Sequence, residues 1–319
     1  MSPKTYLITG TTSGIGLALV KHLLSQSSSQ NNVIATGRNI SSRFPQDIVS
    51  AYPNNLRLLE LDITADLPTL QSKAAEAWRL FPGGRGVDVL FNNAGMSAMK
   101  SCEEASEEYI SQMFEVNLFG PMRLTQAFLP LLRNKTKSVV AFTSSSTAWT
   151  PLPFMGHYAS SKAALSTYIE SLAKEVSPFD IKVVGFECGG CVTSLGQPRE
   201  QQQQEQEQHG GLLEQRQETV YREGLGRLVG MFMRDAMAYM PGDAAKVAKT
   251  MVEVIQKVDK GEKVPVRLVL GSDAWESVKQ KVEETGEVLE GWKGVSWGTG
   301  RDGVKGGAEG DYLRAVSIL

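Results

Sequence analysis

The sequence predicts an α/β fold, an open, doubly wound parallel sheet of about seven strands with helices on both faces. Three observations carry this. Short β-branched runs alternate with longer stretches of helical periodicity along the chain. Most of the short runs are apolar throughout, as in strands buried on both faces, rather than alternating apolar and polar. A chain of 319 residues, 41% hydrophobic and 21% charged, has the composition of a globular protein. At that length about 75% of the extended surface can be buried, enough for a large core.

The elements follow in order. A strand over 5–9 leads into a helix over 15–24 and a second strand over 32–36. Further strands are expected at 56–61, 87–91, 138–143, 181–186 and 264–270. Helices over 67–80, 109–132, 157–176 and 243–258 fill the gaps. Residues 1–290 read as one domain, with 195–240 inserted as a helical lid over the substrate. That insertion holds EQQQQEQEQH at 200–209, a polar tract that cannot pack a core. Residues 291–319 form a glycine-rich extension, with eight glycines between 291 and 310, expected to lack regular structure. Trp292, Trp297 and Tyr312 are its candidates for docking on the body.

Charge and cysteine usage narrow the function. Thirty-three basic and 35 acidic side chains leave a net charge of -2, no field for a polyanion, so nucleic acid is not an expected partner. No run of 18 apolar residues occurs, so no membrane span is expected, and the first strand begins with no signal-peptide pattern before it. Three cysteines make no disulfide framework, which points to the cytoplasm. Cys188 and Cys191 spell C-x-x-C, open to a redox disulfide, but three scattered histidines do not complete a zinc site; no metal is expected.

The first strand ends in TGTTSGIG, residues 9–16, and a helix begins at once. Gly10 permits the tight turn, Gly14 lets backbone approach a diphosphate, and Gly16 lets the helix close on the sheet. With Thr12, Ser13 and Ile15, these glycines form the expected phosphate loop, at a helix N-terminus whose N–H groups and dipole favour anions. The alternative is a glycine turn without a ligand. Arg38, where an acid would bind ribose hydroxyls, would pair with a 2′-phosphate and so favours NADP(H); otherwise it is a surface arginine. Asp62 in LDIT would reach the adenine or cap a helix. Asn93, Ala94 and Gly95 of the NNAG motif suit a close backbone approach to the adenosine side.

Tyr158 and Lys162 stand four apart on one helical face. A tyrosine hydroxyl, pKa about 10, is a poor base at neutral pH, and a neighbouring ammonium, with the positive nicotinamide of the oxidised complex, would favour its phenolate. Thirteen residues earlier, Ser145 in the TSSS run can hold a substrate carbonyl against the tyrosine, with Ser144 and Ser146 as alternatives. Asn117 points an amide into an apolar face shared with Met113, Leu124 and Phe128, so it needs either a structural backbone bond or an ordered water linking it to Lys162. His157 reads as a wall or surface residue with its ring turned from Tyr158.

Together TGTTSGIG, NNAG, Asn117, Ser145 and YASSK (158–162) resemble the short-chain dehydrogenase/reductase family, in order from about residue 4 to 195. NLFGPMRLTQAFLPLL (117–132) and PFDIKV (178–183) are similar to fungal-type reductases related to acyl-dihydroxyacetone-phosphate reductase. The resemblance implies a Rossmann fold, hydride transfer between nicotinamide C4 and a carbonyl or alcohol carbon, and catalytic roles for Asn117, Ser145, Tyr158 and Lys162, the last two also touching the cofactor. It also implies a dimer or tetramer built on the helices near Asn117 and Tyr158. Where that family has P-G-x-x-x-T to hold the carboxamide, this chain has CGGCVT; Gly189 and Thr193 match, and the missing proline implies a looser loop.

The segments expected beyond the strand ends are rich in methionine and aromatics: Met96, Trp149, Phe154 and Met155, with Met231 and Met237 in the insertion. A helix packed on the core is the alternative for the last two. The reading is an NADPH-dependent carbonyl reductase of a bulky apolar ketone, of polyketide-like, aromatic or lipid type. Alcohol oxidation, or a dinucleotide-sensing scaffold without turnover, are the alternatives.

Overall fold

Seven strands form one wholly parallel sheet in the computed structural model, which describes residues 3–26, 31–83, 86–191 and 240–299. The strands are β1 (Thr5–Thr9), β2 (Asn32–Gly37), β3 (Leu56–Glu60), β4 (Val89–Asn92), β5 (Ser138–Ser145), β6 (Ile181–Cys188) and β7 (Arg267–Leu270). Their order is β3-β2-β1-β4-β5-β6-β7, so the winding reverses between β1 and β4 and opens a crevice there.

Alternation along each strand feeds two cores. Leu7, Ile34, Leu90, Val140 and Val183 point to one face, under α4 (Leu67–Trp78), α6 (Gly120–Leu132) and α7 (Gly156–Val176). Ile8, Val33, Phe91, Ala141 and Phe186 point to the other, under α1 (Gly14–Ser25) and α8 (Ala244–Asp259). Because both faces are covered, β1 is buried at every position, which is why its sequence shows no polar alternate.

Helix boundaries follow local chemistry. Asp66 caps α4, accepting from the Thr69 N–H, with proline at the start of the helix. Asp243 accepts from the N–H groups of Ala245 and Lys246 to start α8. The helix expected over 109–132 is interrupted: α5 (Glu107–Phe114) and α6 are joined by a π-turn, Glu115–Phe119. Pro121 brings no N–H to the carbonyl of Asn117 four residues earlier, so the regular ladder breaks at this point.

Four helices lie where the sequence reading placed none. α2 (Ile40–Arg43) and α3 (Gln46–Ala51) follow β2, and α9 (Ser272–Gly291) and α10 (Lys293–Trp297) follow β7. The expectation of irregular structure from residue 291 is therefore corrected through residue 297, since a five-residue helix forms there with Gly294 inside it. Trp292 and Trp297 do not dock on the body: both are more than 60% exposed. Tyr312 lies outside the described residues, as does the insertion expected over 195–240 except for Met240. No described helix is long and apolar enough to cross a membrane.

Candidate active site

The crevice is lined first by the loop after β1. Gly10 has φ +69, and a Cβ there would stand 2.8 Å from the Cα of Ala94; at Gly16 it would stand 2.2 Å from the Gly10 carbonyl oxygen. The loop and the NNAG segment are joined through Thr9, whose Oγ1 accepts from the N–H groups of Asn93 and Ala94, both at 2.9 Å. Asn93 Nδ2 returns a bond to the Thr9 carbonyl at 2.9 Å. Ser13 begins α1 without a side-chain cap, leaving the helix N-terminus to an anion. Ser13 is exposed, with Thr12, Gly14 and Ile15 half-buried around it. A dinucleotide diphosphate fits this cradle, because the bare glycines let the loop pack on Ala94 and on itself while the start of α1 carries no side-chain cap.

Arg38 is exposed at the end of β2, beside the left-handed Asn39. Glu60, at the end of β3, is paired in register with Gly37. Its carboxylate is engaged by the N–H groups of Ile40 and Ser41, both at 3.0 Å, and it holds the start of α2. Those bonds, that from Ser41 above all, lower its pKa. Asp62 is likewise occupied locally, accepting from Thr64 N–H and Oγ1 at 2.9 and 2.7 Å in a tight turn ahead of α4.

Four side chains meet at the other end of the crevice. Tyr158 and Lys162 project from the first turns of α7, 6% and 4% exposed, and the lysine Nζ lies 6.0 Å from the phenol ring centre. Lys162 Nζ donates to the Thr143 carbonyl at 3.0 Å. Ser145, the last residue of β5, acts on the Tyr158 hydroxyl to lower its pKa, while its own Oγ accepts from the Thr147 N–H at 3.2 Å and Thr147 Oγ1 at 3.0 Å. The choice within the TSSS run is thereby narrowed: Ser144 Oγ turns away to Ser166 Oγ, 3.0 Å, inside the packing of α7 on the sheet.

Asn117 sits in the π-turn, fully buried. Its Oδ1 accepts from the Met96 N–H and its Nδ2 donates to the Met96 carbonyl, both at 2.9 Å, with a further bond to Ser161 Oγ at 3.1 Å. The structural reading of this amide is the one the geometry shows. Ser161 in turn donates to the Tyr158 carbonyl at 2.7 Å, so Asn117 positions the first turn of α7. A Cβ at Gly95 would lie 3.2 Å from Asn117 Oδ1 and 3.6 Å from Lys162 Nζ, which puts the end of the NNAG motif between these two side chains.

In the chain alone, burial governs both groups. It pushes Tyr158 up to about 12 and outweighs the lowering by Ser145. The same burial pulls Lys162 down to about 8. Desolvation disfavours both charged forms.

The loop after β6 corrects an expectation. CGGC is not loose: Gly189 N–H donates to Leu270, Gly190 N–H to Asp273 Oδ2 at 2.7 Å, and Gly242 N–H to the Gly190 carbonyl at 2.9 Å. A Cβ at Gly189 would meet Asp273 Oδ1 at 2.3 Å. The clamp replaces the conformational restriction a proline would bring. Thr193 lies outside the described residues. Cys188 and Cys191 are free thiols, and burial pushes Cys188 up to about 12.

Of the pocket residues, Met96 is buried in the core beside Asn117. Phe154 holds φ +64 and its carbonyl accepts from Lys100 N–H at 2.8 Å, which ties the loop before α7 to the one after β4; Met155 packs on the core. Trp149 donates from Nε1 to Glu187 at 2.6 Å, with the Arg267 guanidinium 4.3 Å above its ring. Met231 and Met237 lie outside the described residues. His157 packs edge-on against Tyr109.

Sequence reasoning missed Glu187, buried to 1% and held by Ser166 Oγ and Arg267 as well as Trp149. A charged residue inside an apolar strand was the available signal. Asp273 gave no signal, since a lone acid at a helix start reads as a surface cap.

The family model for short chain dehydrogenases matches residues 4–204. The chain belongs to that family. It is 34% identical over 209 residues to human 17-beta-hydroxysteroid dehydrogenase type 1, covering 63% of this chain and 62% of that protein. The matched stretch thus spans about three fifths of that relative's length. Oxidoreductase BOA17 of Botryotinia fuckeliana aligns over 92% of this chain and 98% of its own, at 27% identity. A short-chain dehydrogenase of Streptomyces avermitilis superposes over 93% of this chain and 98% of its own with a TM-score of 0.76, at 31% identity. Membership accords with the fold anticipated from the strand pattern.

Proposed function

We propose that this chain is an NADPH-dependent carbonyl reductase that converts a bulky, mainly apolar ketone to a secondary alcohol. The observation that carries the reading is a Tyr158 buried beside Lys162 and next to the end of β5, where desolvation holds its phenol up. A reductase must deliver a proton to the developing alkoxide, and a phenol held well above neutral pH arrives already loaded. When bound, a nicotinamide dinucleotide supplies the hydride. Gly10, Gly14 and Gly16 with the uncapped start of α1 would hold its diphosphate, Arg38 its 2′-phosphate, and the clamped Gly189 loop its carboxamide end.

The chain's own part is positioning and proton supply. Ser145 orients the carbonyl oxygen toward the Tyr158 hydroxyl, which gives up its proton, and Lys162 stabilises the phenolate that forms. Asn117 keeps the start of α7 in register through Met96 and Ser161. Trp149, Phe154 and Met155 offer an apolar wall suited to a polyketide-like, aromatic or lipid ketone. The similarity to the 17-beta-hydroxysteroid dehydrogenase named above supports a large apolar substrate. A homo-oligomer built through the helices around Asn117 and Tyr158 belongs to the same reading, as does a cytoplasmic enzyme.

Calorimetric titration with NADPH and NADH, followed by NADPH oxidation with bulky ketones, tests this. NADPH binds tenfold or more tighter than NADH, and Arg38→Ala removes most of the difference. Tyr158→Phe lowers turnover by 10²-fold or more while cofactor affinity stays within a few-fold. Unchanged turnover in that variant rules the mechanism out. Tighter NADH binding overturns the role of Arg38 and favours alcohol oxidation, and failure to bind either dinucleotide favours a scaffold.

A further inference from the structure

Helix α9 leaves the body part-way along its length. Ala274 and Val278 are buried against the body, but every residue from 281 to 299 is exposed. From the seated Val278 a stripe continues outward: positions 278, 282, 285, 289 and 292 alternate spacings of four and three and are apolar but for Thr285. Along it Val282 is 53%, Leu289 66% and Trp292 62% exposed. A 3.5-residue apolar repeat is the seam of a paired helix. An unsupported helix of this length is marginal in water, so the projecting turns need a partner along that stripe.

Charge selects the partner. Between 272 and 299 there are six carboxylates and three lysines, which opposes an anionic lipid surface. Between 279 and 290 the signs are also segregated, with Lys279 and Lys281 ahead of the glutamates at 283, 284, 287 and 290, the last of which lies 3.8 Å from Lys293 of its own helix end. A parallel pair would stack those glutamates beside their counterparts. An antiparallel pair about a two-fold axis at Thr285–Gly286 instead sets Val282 of one copy against Leu289 of the other and Lys281 against Glu290. Gly286 leaves room at the crossing, since nothing lies within 4 Å of a Cβ built there.

We propose that the projecting part of α9 is an interface for a second copy of this chain, formed by antiparallel pairing of the two helices about Thr285–Gly286. It lies on a different element from α6 and α7, and it does not depend on the catalytic reading. The interface is isologous: each copy presents the same stripe and the same lysine–glutamate pairing twice.

Sedimentation velocity of the full chain over a range of concentrations tests it. Val282→Glu with Leu289→Glu, both at exposed positions, is expected to halve the assembly mass and lower helix content by no more than the projecting turns, while the body keeps its cooperative thermal unfolding. Lys281→Glu and Glu290→Lys each weaken the association about tenfold, and the double exchange restores it. Equal masses for the wild type and Val282→Glu/Leu289→Glu overturn the proposal. A double exchange as weak as the single variants overturns the antiparallel register. Loss of the larger assembly on truncation after Thr299 identifies the chain's own end as the occupant and equally overturns it, as does pelleting of the wild type, but not of Val282→Glu/Leu289→Glu, with phosphatidylcholine vesicles.

Discussion

Two effects compete at Tyr158. Burial raises the phenol and Ser145 lowers it, and burial wins, leaving a neutral proton donor at about 12. At Lys162 the same burial works the other way and brings the ammonium to about 8, inside the working range. The two shifts predict the pH dependence of reduction. Tyr158 stays protonated throughout, so turnover is flat while Lys162 keeps its charge and falls as pH rises through 8. Above that point the loss is about tenfold per pH unit, as for a single deprotonation. The measurement is kcat between pH 6 and 10, with Lys162→Arg as the control; a guanidinium stays charged, so its profile, at lower rate, is flat. A wild-type rate constant to pH 10 removes Lys162 from the mechanism. The residue types at Tyr158, Lys162 and Ser145 were readable from spacing alone, because helix and strand-end geometry place them. The direction of the tyrosine shift was not, because desolvation depends on how many side chains close over the hydroxyl.

At the scale of elements, strands were legible because a buried sheet leaves apolar runs that nothing else in the chain imitates. The π-turn at Asn117 was hidden, although Pro121 in NLFGPM carried its cause. α9 was missed because beyond Val278 its apolar stripe faces solvent, so there is no packing to separate it from a polar tail. Its first turn nevertheless reaches the site. Asp273 accepts from Gly190 N–H, and a carboxylate bond of this kind contributes about 1.5–3 kcal/mol. Asp273→Ala is expected to free the Gly189–Gly190 loop, weaken NADPH binding by about tenfold and speed amide exchange at Gly190. Asp273→Asn keeps an acceptor oxygen and recovers most of the affinity. If Asp273→Ala binds NADPH as the wild type does, the clamp has no part in holding the cofactor.

The whole molecule is organised around the crossing between β1 and β4, and around a second junction that only the structure reveals. Cys191 pairs with Gly242 as an isolated bridge, and Gly242 N–H donates to the Gly190 carbonyl at 2.9 Å. The chain thus leaves the sheet at Cys191 and returns beside it, with the two ends of the intervening segment held together. Closure entropy depends only on the logarithm of loop length, so shortening such a segment by ten residues changes stability by roughly 0.2 kcal/mol. Deleting residues 200–209 is therefore expected to leave the thermal midpoint within about a degree and NADPH affinity within twofold. Gly242→Ala, by contrast, would push a Cβ to 2.6 Å from the Gly190 oxygen and 3.1 Å from Cys191, parting the two strands of the junction. One added methyl group should then cost more stability than ten deleted residues, as read by calorimetric unfolding of both variants. The reverse ranking would place the polar tract inside the folded core and the junction outside it.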